Sequence, residues 1–145
     1  MSAAIMAAVS PAETARRPRS ISARPAAVEL AVRRCASLAE ATSFTTSPLL
    51  MNAADRTAFG RVEDAVRLTR YGGDCYSYCM LAAGHLDLVV ETELKPYDIA
   101  ALIPIITGAG GIVTTWEGKP AQGGGRIIAA GDPRVHEAAM KLLNS

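Results

Sequence analysis

Three carboxylates stand where this 145-residue chain is best placed to do chemistry. Glu91 closes the apolar run Leu86-Asp87-Leu88-Val89-Val90, and Asp98 follows at the head of a second, longer apolar stretch. That puts one carboxylate at a strand end and one at a helix start, the places where α/β folds gather ligand-binding groups. Upstream, Tyr71-Gly72-Gly73-Asp74-Cys75-Tyr76 places the third directly after a glycine pair. Each has an ordinary reading when taken alone. Asp98 can be a helix N-cap, Glu91 a solvated strand end, and Gly72-Gly73-Asp74 turn chemistry.

Other reactive types are less persuasive. Cys75 and Cys79 are one helical turn apart, but no CxxC and no histidine at zinc-site spacing accompanies them. The spacing therefore reads as small buried side chains on one helix face. His85 sits in a turn after a helix end and reads as a surface or dipole-compensating residue. Gly123-Gly124-Gly125 lacks the Lys-Ser/Thr and the following helix of a phosphate loop, so it reads as a flexible hairpin tip.

The elements that must hold these residues follow from punctuation and periodicity. Ala41–Pro48 is short and β-branched and reads as a strand. Asn52 or Asp55 caps a helix over 53–65, with Phe59 and Val62 facing inward. Residues 67–71 alternate as a strand, and Gly72-Gly73 ends it. Cys75–Ala83 is a helix stopped by Gly84. Leu86–Glu91 is apolar enough for a strand buried on both faces. Asp98 then opens a helix over 99–107, apolar nearly all round and so expected to be central, with a kink at Pro104. Strands over 112–115 and 126–130 follow, and Asp132-Pro133 starts a final helix reaching Leu143. This order predicts a layered α/β domain with a mainly parallel sheet flanked by helices.

Composition sets outer bounds. Half of the residues are hydrophobic, a fifth are charged, and the net charge is +1. A single domain with a packed core fits; a nucleic-acid footprint does not. No apolar run reaches the length of a membrane span. Three cysteines, an odd count with no secretory signal, point to a reducing, cytoplasmic compartment. Residues 1–34 differ from the rest, being rich in Ala, Arg, Pro and Ser. An Arg-rich, acid-poor segment can be an organellar targeting peptide, but its apolar face is weak after Val9. It reads as a low-complexity, disordered tail ahead of a domain at 35–145, although residues 26–38 have helix-forming composition.

Together, the motifs resemble the C-terminal half of the inositol monophosphatase family of magnesium-dependent phosphomonoesterases. The family's signature is an aromatic-Asp pair, a small-residue helix and a glycine pair. It stands here as Tyr97-Asp98-Ile99-Ala100-Ala101 leading to Gly108-Ala109-Gly110-Gly111, with Tyr97 where Trp is usual. Tyr71 to Tyr76 resembles the histidinol-phosphatase-like branch. The resemblance covers about residues 36–143 and implies the fold of that family's C-terminal lobe. It implies a substrate that is a small phosphorylated alcohol of the histidinol phosphate or inositol phosphate type. It also implies roles: Asp98 as a Mg²⁺ ligand, Glu91 on the polar body of the substrate, Gly72 and Gly73 permitting close backbone approach, and Asp74 facing an ammonium.

The family also uses an N-terminal acidic constellation that holds most of the metal and orients the attacking water. No Asp-x-x-Asp-Gly occurs in residues 1–65, whose acids are Glu13, Glu29, Glu40, Asp55, Glu63 and Asp64. The chain thus reads as one lobe of a two-lobe, truncated enzyme. It is expected to bind Mg²⁺ weakly, to contain no catalytic residue of its own and to show little or no turnover alone. Its open face would favour self-association or a complementing N-terminal lobe. The alternative is a non-catalytic α/β binding or interaction module of the same descent.

Overall fold

A computed structural model describes residues 29–145. Most of the expected tail, residues 1–28, lies outside the described residues. Residues 29–37 form no helix, unlike the reading from composition. They run in extended form along the domain, tied by the Val32 N–H to the Ala109 carbonyl (3.0 Å). Arg33 also grips the buried Asp87 with Nε at 2.7 Å and a terminal nitrogen at 2.6 Å.

Five strands form one sheet: β1 (Thr42–Thr45), β2 (Leu68–Tyr71), β3 (Leu88–Leu94), β4 (Ile112–Thr115) and β5 (Gly125–Ala130). Their order is β2-β1-β3-β5-β4. β1 pairs parallel with β2 and β3, while β5 runs antiparallel to both β3 and β4. Four strands therefore share one direction, and β5 alone opposes them. The mainly parallel α/β sheet read from the sequence is present, with one antiparallel strand making it mixed.

Alternation along the strands sorts the core into two layers. Leu88, Val90, Ile128 and Ala130 pack with helices α1 (Ala53–Ala65) and α5 (Pro133–Leu143). Val89, Ile127 and Ala129 pack on the other face with α2 (Cys75–Ala82) and with Leu102 and Ile106. β3 and β5 are covered on both sides, which explains their continuous apolar sequences. Asn52 caps α1 by accepting the Asp55 N–H at 2.9 Å, and Asp132 caps α5 by accepting that of Arg134 at 3.0 Å.

The connections place an opening. From β1 the chain passes over one face through α1 to β2. It then returns over the other face through α2 to β3, on the far side of β1. The winding reverses at β1, so the helices diverge beyond its carboxyl end. Such switch points are where open α/β sheets bind ligands.

Several local expectations change. The helix read over 99–107 is two pieces, α3 (Pro96–Ile99) and α4 (Leu102–Gly108). Pro104 has no N–H for the Ala100 carbonyl, and its ring would crowd that carbonyl. The chain breaks before the proline instead of kinking at it, and Pro104 falls in the first turn of α4. Nor is this segment central: Ile99, Leu102 and Ile106 are buried, while Ala100, Ala101 and Pro104 are exposed. Cys75 and Cys79 are exposed rather than buried, because α2 turns Tyr78, Leu81 and Ala82 to the core. Gly124 is no free hairpin tip. It has φ +71°, and a Cβ there would collide with the Leu94 carbonyl.

Candidate active site

The switch point opens into a cleft of about 610 Å³ bounded by the ends of β1 and β3, the start of α2, and α3. Asp74, Glu91 and Asp98, carried on three different elements, all line it. Each arrives by a different device.

Glu91 does not end its strand. It sits inside β3 and is 5 % exposed. Its Oε1 accepts the Thr46 backbone N–H at 2.7 Å and the Thr46 hydroxyl at 2.8 Å. Burial pushes its pKa up, and the charge of Asp74 adds to the rise against the Thr46 hydrogen bonds. Just beyond it a bulge shifts the β3–β5 register between Glu91 and Leu94, and Glu93 adopts φ +59°.

Asp74 is held by a tight turn in which the Tyr76 N–H reaches the Gly73 carbonyl at 2.7 Å. Its backbone, at φ 41° and ψ −127°, lies where glycine is normally required. Among the described residues, Asp74 and Glu93 are the two non-glycine residues with positive φ, and both line the cleft. Strained backbone of this kind concentrates at functional sites. Gly72 and Gly73 precede Asp74 at φ +82° and +100° and do not themselves line the cleft. Gly72 donates to the Thr46 carbonyl at 2.9 Å, and a Cβ on Gly73 would come within 2.6 Å of the Ser77 hydroxyl oxygen. They shape the turn that leads into Asp74.

Asp98 is the third residue of α3 rather than its N-cap; Lys95 holds the cap position. One Asp98 oxygen, Oδ2, accepts the Lys95 N–H at 2.7 Å. That bond fixes the carboxylate and leaves Oδ1, on an exposed side chain, without a hydrogen bond among the described residues.

Two cleft residues escaped the sequence reading. The Thr46 hydroxyl lies 2.8 Å from Glu91 Oε1 and 3.0 Å from Asp74 Oδ1. A hydroxyl has one hydrogen, so it serves one carboxylate at a time. The other goes without that hydrogen, and no ion pair among the described residues involves Asp74, Glu91 or Asp98. The second is Tyr78, whose buried hydroxyl has no hydrogen-bond partner. Thr46 could have been suspected from its place at the carboxyl end of a parallel strand. Tyr78 carries no sequence signal beyond helix periodicity. The cleft is therefore electron-rich, with oxygen donors suited to an ammonium or a hard cation.

The sequence profile of the inositol monophosphatase family matches residues 14–145. The chain belongs to that family. The match begins within the stretch whose composition reads as a tail. A bifunctional phosphatase, IMPL2, chloroplastic, of Arabidopsis thaliana is 41% identical over 124 residues, covering 79% of this chain and 36% of that protein. A histidinol-phosphatase of Streptomyces coelicolor is 41% identical over 76 residues, 52% of this chain and 28% of its own length. An inositol monophosphatase from Zymomonas mobilis superposes with a TM-score of 0.77 at 42% identity, covering 80% of this chain and 47% of that one. A relative in fold alone, an IMPase/NADP phosphatase at 23% identity and TM-score 0.67, was solved in complex with Mg²⁺ and phosphate and is covered over 45% of its length by 82% of this chain. The chain thus spans about a third of the Arabidopsis protein and about half of the solved chains.

Proposed function

We propose that this chain supplies the substrate-reading part of a Mg²⁺-dependent phosphomonoesterase site, for a small phosphorylated alcohol that carries an ammonium group, as histidinol phosphate does. The observation that carries the reading is the convergence of Asp74 and Glu91 on the single hydrogen of Thr46. Two carboxylates around one donor accommodate a cation far better than a neutral polyol. Family membership and the phosphatase relatives support the reaction class.

Asp98 fits a Mg²⁺ ligand: one oxygen is anchored, the other is free, and the ion characteristically takes one or two carboxylates beside water and phosphate oxygens. When bound, the ion neutralises phosphate charge and stabilises the departing ester oxygen. The chain's own residues bind and orient. Asp74 and Glu91 take the ammonium end, Thr46 keeps the two carboxylates in register, and the Lys95 N–H holds Asp98 toward the phosphate end. No cluster of three or more metal-binding side chains occurs among the described residues. We therefore assign the activation of water to groups other than these and expect slow turnover from this chain by itself.

The test is Mg²⁺-dependent phosphate release from histidinol phosphate and inositol phosphate by wild type and Asp98→Asn, with and without an added N-terminal half of a family member. Release that needs Mg²⁺, Asp98 and the added half supports the proposal. Ligand affinity that ignores both Mg²⁺ and Asp98→Asn replaces it with a non-catalytic binding module.

A further inference from the structure

Tyr78 is the one residue lining the cleft whose polar side-chain atom is both buried and without a hydrogen-bond partner. It lies on the core-facing side of α2 and is 2 % exposed, yet its ring lines the same cleft as Asp74, Glu91 and Asp98. Its hydroxyl is buried with no hydrogen-bond partner. Burial raises its pKa well above the ordinary tyrosine value, and the nearby charges of Glu91 and Asp98 raise it further. The group stays protonated and can act as a donor. Buried polar groups in folded proteins are nearly always satisfied, and an exception calls for a reason. Here no packing reason is visible, because phenylalanine would fill the same volume without the unmet hydroxyl.

The neighbouring carboxylates do not consume this hydrogen. Glu91 takes its hydrogen bonds from Thr46 and, at 3.5 Å, from the Thr45 hydroxyl, and the anchored oxygen of Asp98 takes one from the Lys95 N–H. Tyr78 lines the cleft together with Asp74 and Glu91, so a ligand whose ammonium meets those carboxylates shares that space with the tyrosine.

We propose that the Tyr78 hydroxyl is a specificity-determining donor for the ligand, receiving a neutral acceptor atom, such as an unprotonated ring nitrogen, on a substrate that also carries an ammonium. This rests on the reading of the cleft as the site for an aminated phosphomonoester, and it narrows that class. A bare amino-alcohol phosphate satisfies the carboxylates but leaves Tyr78 unmet. A substrate with an additional acceptor satisfies both.

The test is Tyr78→Phe in the full chain, with Mg²⁺ present. Calorimetry would compare histidinol phosphate, which has an ammonium and a ring acceptor, with phosphoethanolamine, which has only the ammonium. The variant should bind histidinol phosphate about tenfold more weakly, the scale of one neutral hydrogen bond, and phosphoethanolamine within twofold of wild type. Its ligand-free melting temperature should equal or exceed that of wild type. Equal affinity for histidinol phosphate in both proteins overturns the role of Tyr78 and leaves the aminated-substrate reading standing. Equal losses on both ligands, or a lowered ligand-free melting temperature, overturn it as well, since the hydroxyl then serves the fold. Wild type that binds neither ligand overturns the parent reading and this inference together.

Discussion

Replacing Asp74 with glycine should make the protein more stable and less selective. Asp74 occupies φ 41°, ψ −127°, a conformation that suits glycine and strains any residue with a Cβ. Such strain is worth roughly 1–3 kcal/mol. Against its relief stands the extra freedom glycine gives the unfolded chain, about 0.5–1 kcal/mol. The exposed Thr46–Asp74 hydrogen bond at 3.0 Å is also lost, worth about 0.5 kcal/mol. Removing one of two neighbouring carboxylates offsets part of that loss. The net is a stabilisation of about 1 kcal/mol, or roughly 3 °C in Tm for a domain of this size. Asp74→Ala is the control, because it removes the same carboxylate and keeps the Cβ. At an ordinary position glycine is worse than alanine by about 0.5–1 kcal/mol; here it should be better by about 1 kcal/mol or more. Urea unfolding of the three proteins measures the difference. An Asp74→Gly protein less stable than Asp74→Ala would refute the claim that strained backbone is held there for the sake of the carboxylate.

Other perturbations probe the rest of the framework. Glu91 has a raised pKa in the fold, so the folded state holds more protons than the unfolded chain between the ordinary glutamate value near 4.5 and the higher folded value, and its contribution to stability falls as pH rises through that window. Glu91→Gln should therefore gain more Tm over wild type at pH 7.5 than at pH 5, and a gain independent of pH would contradict the assignment. Arg33→Ala leaves Asp87, whose side chain is 2% exposed, without its bidentate partner, and should cost about 2 kcal/mol in urea unfolding; no loss would mean that residues 29–34 do not belong to the folded unit. Gly124→Ala drives a Cβ into the Leu94 carbonyl at positive φ, so it should lower stability by more than about 1 kcal/mol, whereas an unaffected protein would show the cleft rim to be pliable.

Legibility followed how local the determining interaction is. α1 and α5 carry their own caps, and their bounds were readable from Asn52, Asp132 and Pro133. The apolar runs of β3 and β5 announced burial on both faces. The carboxylates were readable as residues near a strand end and a helix start, and their convergence required the winding reversal at β1. What failed was set by atoms far apart in sequence or by backbone geometry. The break at Ala100–Ala101 comes from a proline four residues on. The strain at Asp74 comes from a turn that presents the carboxylate to Thr46. The burial of Tyr78, and the exposure of Cys75 and Cys79 on the same helix, depend on which face of α2 meets β3. A run of CYSYCMLA has too little polar contrast to mark that face.

The central claim is that the cleft reads a positive charge on a phosphorylated ligand through Asp74 and Glu91. The most direct measurement is calorimetric affinity for histidinol phosphate and for inositol phosphate, in Mg²⁺, for wild type and Asp74→Asn. The account predicts that wild type prefers the aminated ligand by about tenfold, the worth of one charged contact, and that Asp74→Asn erases the preference by weakening that ligand alone. Equal affinities in wild type, or equal losses on both ligands in the variant, would contradict it.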